Sequence, residues 1–167
     1  MVNTTTANKA QLGKIGITVK SDNTLELDEE AFKKIDRHKE LRKNKNFDAV
    51  ECFTNLSRLK LERPPTVLLE CMSNLVANEM YQEDGAGEHT VDCVKEGVKH
   101  LKAEAKNLVI VSNEIFSDGM DYDPETVRYQ KYLGQINQAI AAEADLVVEI
   151  VYGIPLVHKG RLEDLVC

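Results

Sequence analysis

With 167 residues, 43% of them hydrophobic, the chain is long enough for one α/β domain with a real core and too short for two full domains. Its net charge of −7 opposes a broad basic surface that tracks phosphate backbones, which argues against nucleic acid as the main partner. No apolar stretch is long enough to span a bilayer, and Met1 to Thr6 lacks the basic end and apolar middle of a secretion signal, so a cytoplasmic protein with no membrane partner is expected.

Residues 1–24 read as an atypical opening to a single α/β domain spanning 1–167, with Ile15 to Val19 strand-like. Asp28 then caps a helix whose apolar face carries Ala31 and Ile35 and sets His38 one turn further on. Arg37, Lys39, Arg42, Lys43 and Lys45 surround that histidine, while Glu29, Glu30, Asp36 and Glu40 interleave the positive charge. Taken alone, such a run is an ordinary solvated helix face. Phe47 to Val50 reads as a short strand leading to Glu51.

After Pro64-Pro65, the run Thr66-Val67-Leu68-Leu69 has the β-branched and leucine character of a buried strand and delivers Glu70 and Cys71 at its end. Ser73 to Tyr81 is helical in pattern, and Gln82 to Glu88 is a glycine-bearing surface loop. Val91, Val94, Val98, Leu101 and Ala105 recur at helical spacing behind Thr90, which the pattern casts as the N-cap. Leu108 to Val111 forms the next strand and runs into Ser112-Asn113-Glu114.

Asp123-Pro124-Glu125 signals a helix start, with a capping carboxylate, a proline in the first turn and an acid at the positive end of the dipole. Tyr129, Tyr132, Leu133, Ile136 and Ile140 make its buried stripe, the two tyrosines as core rather than as a stacking platform. Leu146 to Val151 follows as a strand ending at Gly153-Ile154-Pro155. Two buried parallel strands joined by a crossover helix place ligand sites at their carboxyl ends, where Asn113 and Glu114 fall. Both residues also suit the plainer job of capping the segment that follows.

Cys52, Cys71, Cys93 and Cys167 lie far apart, without a CxxC pair or zinc-ligand spacing, and read as reduced thiols; no metal ligand is assigned. His89, His100 and His158 read as surface or structural residues.

Four segments, Ile35-Asp36-Arg37-His38-Lys39-Glu40-Leu41-Arg42, Leu68-Leu69-Glu70-Cys71, Val111-Ser112-Asn113-Glu114 and Gly134-Gln135-Ile136-Asn137-Gln138-Ala139-Ile140-Ala141, stand in the order seen in one family. From Asp28 to Gly160 the chain resembles the bifunctional adenosylcobinamide kinase/adenosylcobinamide-phosphate guanylyltransferases of cobalamin biosynthesis. The resemblance implies a parallel sheet flanked by helices, with P-loop NTPase-like (RecA-like) architecture, in a homotrimer. It implies GTP or ATP and Mg2+ as cofactors, and adenosylcobinamide or its phosphate as the partner substrate. His38 matches the guanylylated histidine, Lys39, Glu40, Leu41 and Arg42 the nucleotide-contacting stretch, and Glu51 and Glu70 the acids near the nucleotide. For those two acids, gripping a guanine edge and holding magnesium through water remain open alternatives.

The chain departs from the family pattern in two places. The glycine-rich phosphate loop is reduced to Gly13 and Lys14, with Asn8 and Ile15 at positions that need a glycine and a hydroxyl, so kinase activity is expected to be lost. After Glu114, the segment Ile115-Phe116-Ser117-Asp118-Gly119-Met120-Asp121 brings bulk and added acids where the family usually has glycines and an Ile-Val-Pro stretch. The alternative to a guanylyltransferase is therefore a degenerate relative that binds nucleotide or corrinoid without turnover.

Overall fold

A computed structural model describes residues 15–18, 48–61 and 64–165. Gly13, Lys14, the helix expected from Asp28 and His38 to Arg42 lie outside the described residues. Strands β1 (Ile15–Thr18), β2 (Asp48–Glu51), β3 (Thr66–Glu70) and β4 (Asn107–Ile110) form one parallel sheet in the order β2-β1-β3-β4. Helices α1 (Met72–Tyr81), α2 (Thr90–Glu104) and α3 (Pro124–Glu143) pack on one another. The described fold is thus mixed α/β.

Side-chain alternation decides which face of the sheet the helices cover. Val67 and Leu69 are fully buried in one cluster with Leu75 and Val76 of α1, Val94 and Leu101 of α2, and Leu133 and Ile136 of α3. Val50, Leu108 and Ile110 pack against the same cluster, so these positions share that face. Each fully buried leucine or valine there contributes about 1.5–3 kcal/mol relative to exposure. Leu68 and Glu70 take the opposite face by the same alternation.

A short 3-10 turn, Leu56–Arg58, crosses between β2 and β3 and presses Leu56 onto α2. Contact is close because residue 97 has no side chain: a Cβ there would meet the Leu56 Cβ at 2.6 Å. Gly97→Ala is expected to destabilise the chain by about 1–3 kcal/mol, a typical overpacking penalty, measured by urea denaturation. An unchanged midpoint would show that the turn yields freely.

Two expectations from the sequence need correction. Thr90 does not cap α2: a 3-10 turn, Gly87–His89, precedes the helix, and the Thr90 hydroxyl donates backwards to the Gly87 carbonyl at 2.6 Å. Val147–Val151 (β5) does not join the parallel sheet as a partner of β4. It pairs antiparallel with Ile154–Lys159 (β6), a strand that the sequence pattern did not assign.

The reason is the turn. Tyr152 at φ 50° and Gly153 at φ 83° are both in the left-handed region, the requirement of a tight two-residue hairpin turn. Pro155 sits in β6, which has only β5 beside it among the described residues, where a missing N–H is tolerated. Tyr152, Ile154, Leu156 and Val157 are exposed on this hairpin. Lys159 ties it to the end of α3 through the Ala141 and Ala142 carbonyls at 3.3 and 2.8 Å.

Candidate functional site at the carboxyl edge of the sheet

Strand register brings separated acids to one edge. Thr18 pairs with both Glu51 and Glu70, so β2, β1 and β3 end level, with an acid on each side of the middle strand. Two strand spacings of about 4.8 Å set the two Cα atoms roughly 10 Å apart. Both acids follow residues that face the helices, Val50 and Leu69, and so both lie on the sheet face away from α1 to α3. Glu51 is exposed and Glu70 half-buried.

The chain leaves β1 and β3 in opposite directions, to β2 on one side and β4 on the other. In open parallel sheets such a reversal leaves a crevice beyond the strand ends, and ligands bind there. Glu70 ends β3, one of the two strands at that reversal.

The ends of β3 and β4 are fastened together. Val111 N–H donates to the Leu69 carbonyl at 3.0 Å, and Met72 N–H to the Val111 carbonyl at 2.9 Å, so α1 starts against the end of β4. Three side chains then close a circuit. The Asn113 amide donates to Ser73 Oγ at 3.0 Å, Ser73 Oγ lies 2.7 Å from Cys71 Sγ, and Cys71 Sγ donates to Asn113 Oδ1 at 3.8 Å. With the Ser73 proton directed at sulfur, each group donates once and accepts once.

Helix α3 buttresses the same corner. Tyr129 Oη donates to the Ser73 carbonyl at 3.1 Å, Ser112 Oγ to Asn137 Oδ1 at 2.8 Å, and the Gln130 amide to the Ile115 carbonyl at 3.1 Å. Asp123 starts the helix as the sequence pattern indicates, accepting from the Glu125 and Thr126 N–H groups at 2.9 and 3.1 Å. The Thr126 hydroxyl, donating to Asp123 Oδ2 at 2.6 Å, and then those N–H groups hold its carboxyl below the usual carboxylate range.

Glu114 is exposed, and its Oε1 accepts from Phe116 N–H at 2.8 Å and Ser117 Oγ at 2.9 Å, closing its own loop. Phe116 lies over Gly134 of α3, where a Cβ would stand 3.7 Å from its ring. The structure thus gathers Glu51, Glu70, Asn113 and Glu114 at one edge of the sheet. Sequence reasoning passed over Cys71, Ser73 and Asn137 as members of this corner. The one available signal was the cluster of polar residues directly after a buried strand, Glu70-Cys71 and then Ser73.

Among the described residues no three His, Cys, Asp or Glu side chains converge to hold a metal ion. The donors at the edge nevertheless suit magnesium, which is held by one or two carboxylates with waters and substrate phosphates rather than by a protein cage. Glu51 and Glu70 would hold such an ion, through water.

The described residues make a mixed α/β fold whose parallel sheet carries acids and amide groups at its carboxyl edge. Residues 18–158 match the family model described as cobinamide kinase / cobinamide phosphate guanyltransferase, and the chain belongs to that family. Membership places it among the kinases and guanyltransferases of cobalamin biosynthesis. No curated protein matches the chain. The matched stretch includes His38 to Arg42, Glu51, Glu70, Asn113 and Glu114, and begins beyond Gly13 and Lys14. No helix among the described residues is long and apolar enough to cross a membrane.

Proposed function

We propose that the chain is an adenosylcobinamide-phosphate guanylyltransferase, a GTP-binding, cytoplasmic homotrimer of RecA-like architecture that transfers GMP through His38. The observation that carries this reading is the shared sheet edge of Glu51, Glu70 and Asn113, inside the stretch that matches the family.

In the first displacement the neutral His38 imidazole attacks the α-phosphorus of GTP, a P–N bond forms and pyrophosphate leaves. In the second, a phosphate oxygen of adenosylcobinamide phosphate attacks the same phosphorus. The P–N bond breaks, adenosylcobinamide-GDP forms and the imidazole is regenerated. Lys39 and Arg42 offset charge on the phosphoryl oxygens, Arg42 by a two-pronged contact. Glu40 and Leu41 complete the nucleotide-contacting stretch. Glu70, at the end of β3, accepts from the guanine edge or, with Glu51, would hold magnesium through water. Magnesium held there would supply positive charge against the phosphate oxygens of GTP.

Two assays test this. With GTP, magnesium and adenosylcobinamide phosphate, the chain is expected to produce adenosylcobinamide-GDP and pyrophosphate. With ATP or GTP and adenosylcobinamide it is expected to yield little phosphorylated product, because Gly13 and Lys14 are all that remains of the phosphate loop. Saturable GTP or corrinoid binding without product would favour the non-catalytic relative. Phosphorylation as fast as guanylyl transfer would overturn the division of activities.

A further inference from the structure

We infer that Ser73 and Asn113 are positioning residues for the nucleotide, acting through the ring they close with Cys71. This rests on the reading of Glu70 as a nucleotide-contacting acid. Cys71 directly follows Glu70 and is the N-cap position of α1, so whatever fixes Cys71 fixes the backbone that carries the carboxylate. Cys71 makes no side-chain cap on α1, and at that end the ring adds to the Met72 N–H to Val111 carbonyl bond in joining the helix's first turn to the chain leaving β4.

The ring has the properties of a second layer of support rather than of general packing. Ser73 is 5% exposed, whereas Cys71 and Asn113 are only partly buried, so it lies between the core and the edge. Each member uses both donor and acceptor capacity inside the circuit, and a ring of this kind is cooperative: opening one bond weakens the other two. Tyr129 fixes the Ser73 carbonyl and Asn137 fixes Ser112, the residue before Asn113, so α3 sets the frame in which the ring closes. Fixing the backbone at Cys71 in this way fixes the point from which the Glu70 side chain reaches toward a guanine edge or hydrated magnesium.

Equilibrium binding of GTP with magnesium to the full chain tests the role. Ser73→Ala and Asn113→Ala are each expected to weaken GTP binding about tenfold, the usual effect of removing an outer support. The double variant is expected to be weakened about tenfold as well, not a hundredfold, because either change alone already opens the ring. Ser73→Thr, which restores the hydroxyl, is expected to bind within about twofold of the unaltered chain. A purely structural role would shift the thermal midpoint and leave the dissociation constant unmoved.

Unchanged affinity in the single variants, or multiplicative losses in the double, would overturn the inference and leave the nucleotide reading intact. Failure of the unaltered chain to bind GTP would overturn the nucleotide reading itself, and this role with it.

Discussion

Glu79→Ala is expected to lower the stability of the chain by about 3 kcal/mol, a fall of roughly 10 °C in the thermal midpoint for a domain of this size. Glu79 lies inside α1 and is 1% exposed. Its Oε1 accepts from Asn55 N–H at 2.5 Å and from Cys93 Sγ at 3.6 Å, and its Oε2 from Ala86 N–H at 3.0 Å. One buried carboxylate therefore holds the residue before the Leu56–Arg58 turn and the loop before α2. Removing it strands two part-buried backbone donors, and each such orphan costs about 1–3 kcal/mol.

The same substitution should change the chemistry of a thiol. Burial first, then the Glu79 charge and hydrogen bond, push Cys93 up to about 11 from an ordinary 9.0. A raised thiol keeps its proton in the folded chain, so its contribution to stability is present below pH 9.0 and is lost as pH rises toward about 11. In Glu79→Ala the Cys93 value should drop, and alkylation at pH 8 should quicken. Stability within about 0.5 kcal/mol of the unaltered chain would contradict the account, because that is the range of an ordinary surface substitution.

His38→Ala is expected to lower guanylyl transfer by at least about a thousandfold, since loss of a covalent nucleophile removes the two-step route altogether. GTP affinity should change far less, because the contacts assigned to Lys39, Arg42 and Glu70 remain. A kcat loss with near-constant nucleotide binding separates a nucleophile from a residue that only helps to hold the ligand. Weakened binding with unchanged turnover would move His38 to the second class.

Much of the fold was legible because local chemistry and tertiary context agreed. The β-branched and leucine runs gave β3 and β4 to within a residue or two, and Asp123-Pro124-Glu125 gave the start of α3, where the side-chain cap forms as the pattern requires. The β5–β6 hairpin was not legible. An apolar run such as Leu146 to Val151 looks the same in parallel and antiparallel company, and Tyr152 carries no signal for its positive φ. Pro155 also demotes its own strand. Thr90 misled because the sequence does not announce the 3-10 turn that precedes it.

The site divides in a similar way. An acid closing a buried strand, as at Glu70, is visible in sequence because solubility alone does not account for it. The Cys71–Ser73–Asn113 ring is invisible there because it joins positions 40 residues apart, and only the register of β3 with β4 brings them together. In the sequence, only the family resemblance puts Glu51 and Glu70 near one nucleotide. Their common register with Thr18 makes them flanks of one edge.

The central claim is that a histidine of this chain carries GMP. Incubating the protein with magnesium and GTP radiolabelled at the α-phosphate, followed by denaturation, tests it directly. The account predicts a labelled protein whose bond is acid-labile and stable in alkali, as a phosphorus–nitrogen bond is, and no label in His38→Ala. An unlabelled native chain, or label that persists in His38→Ala, would contradict it.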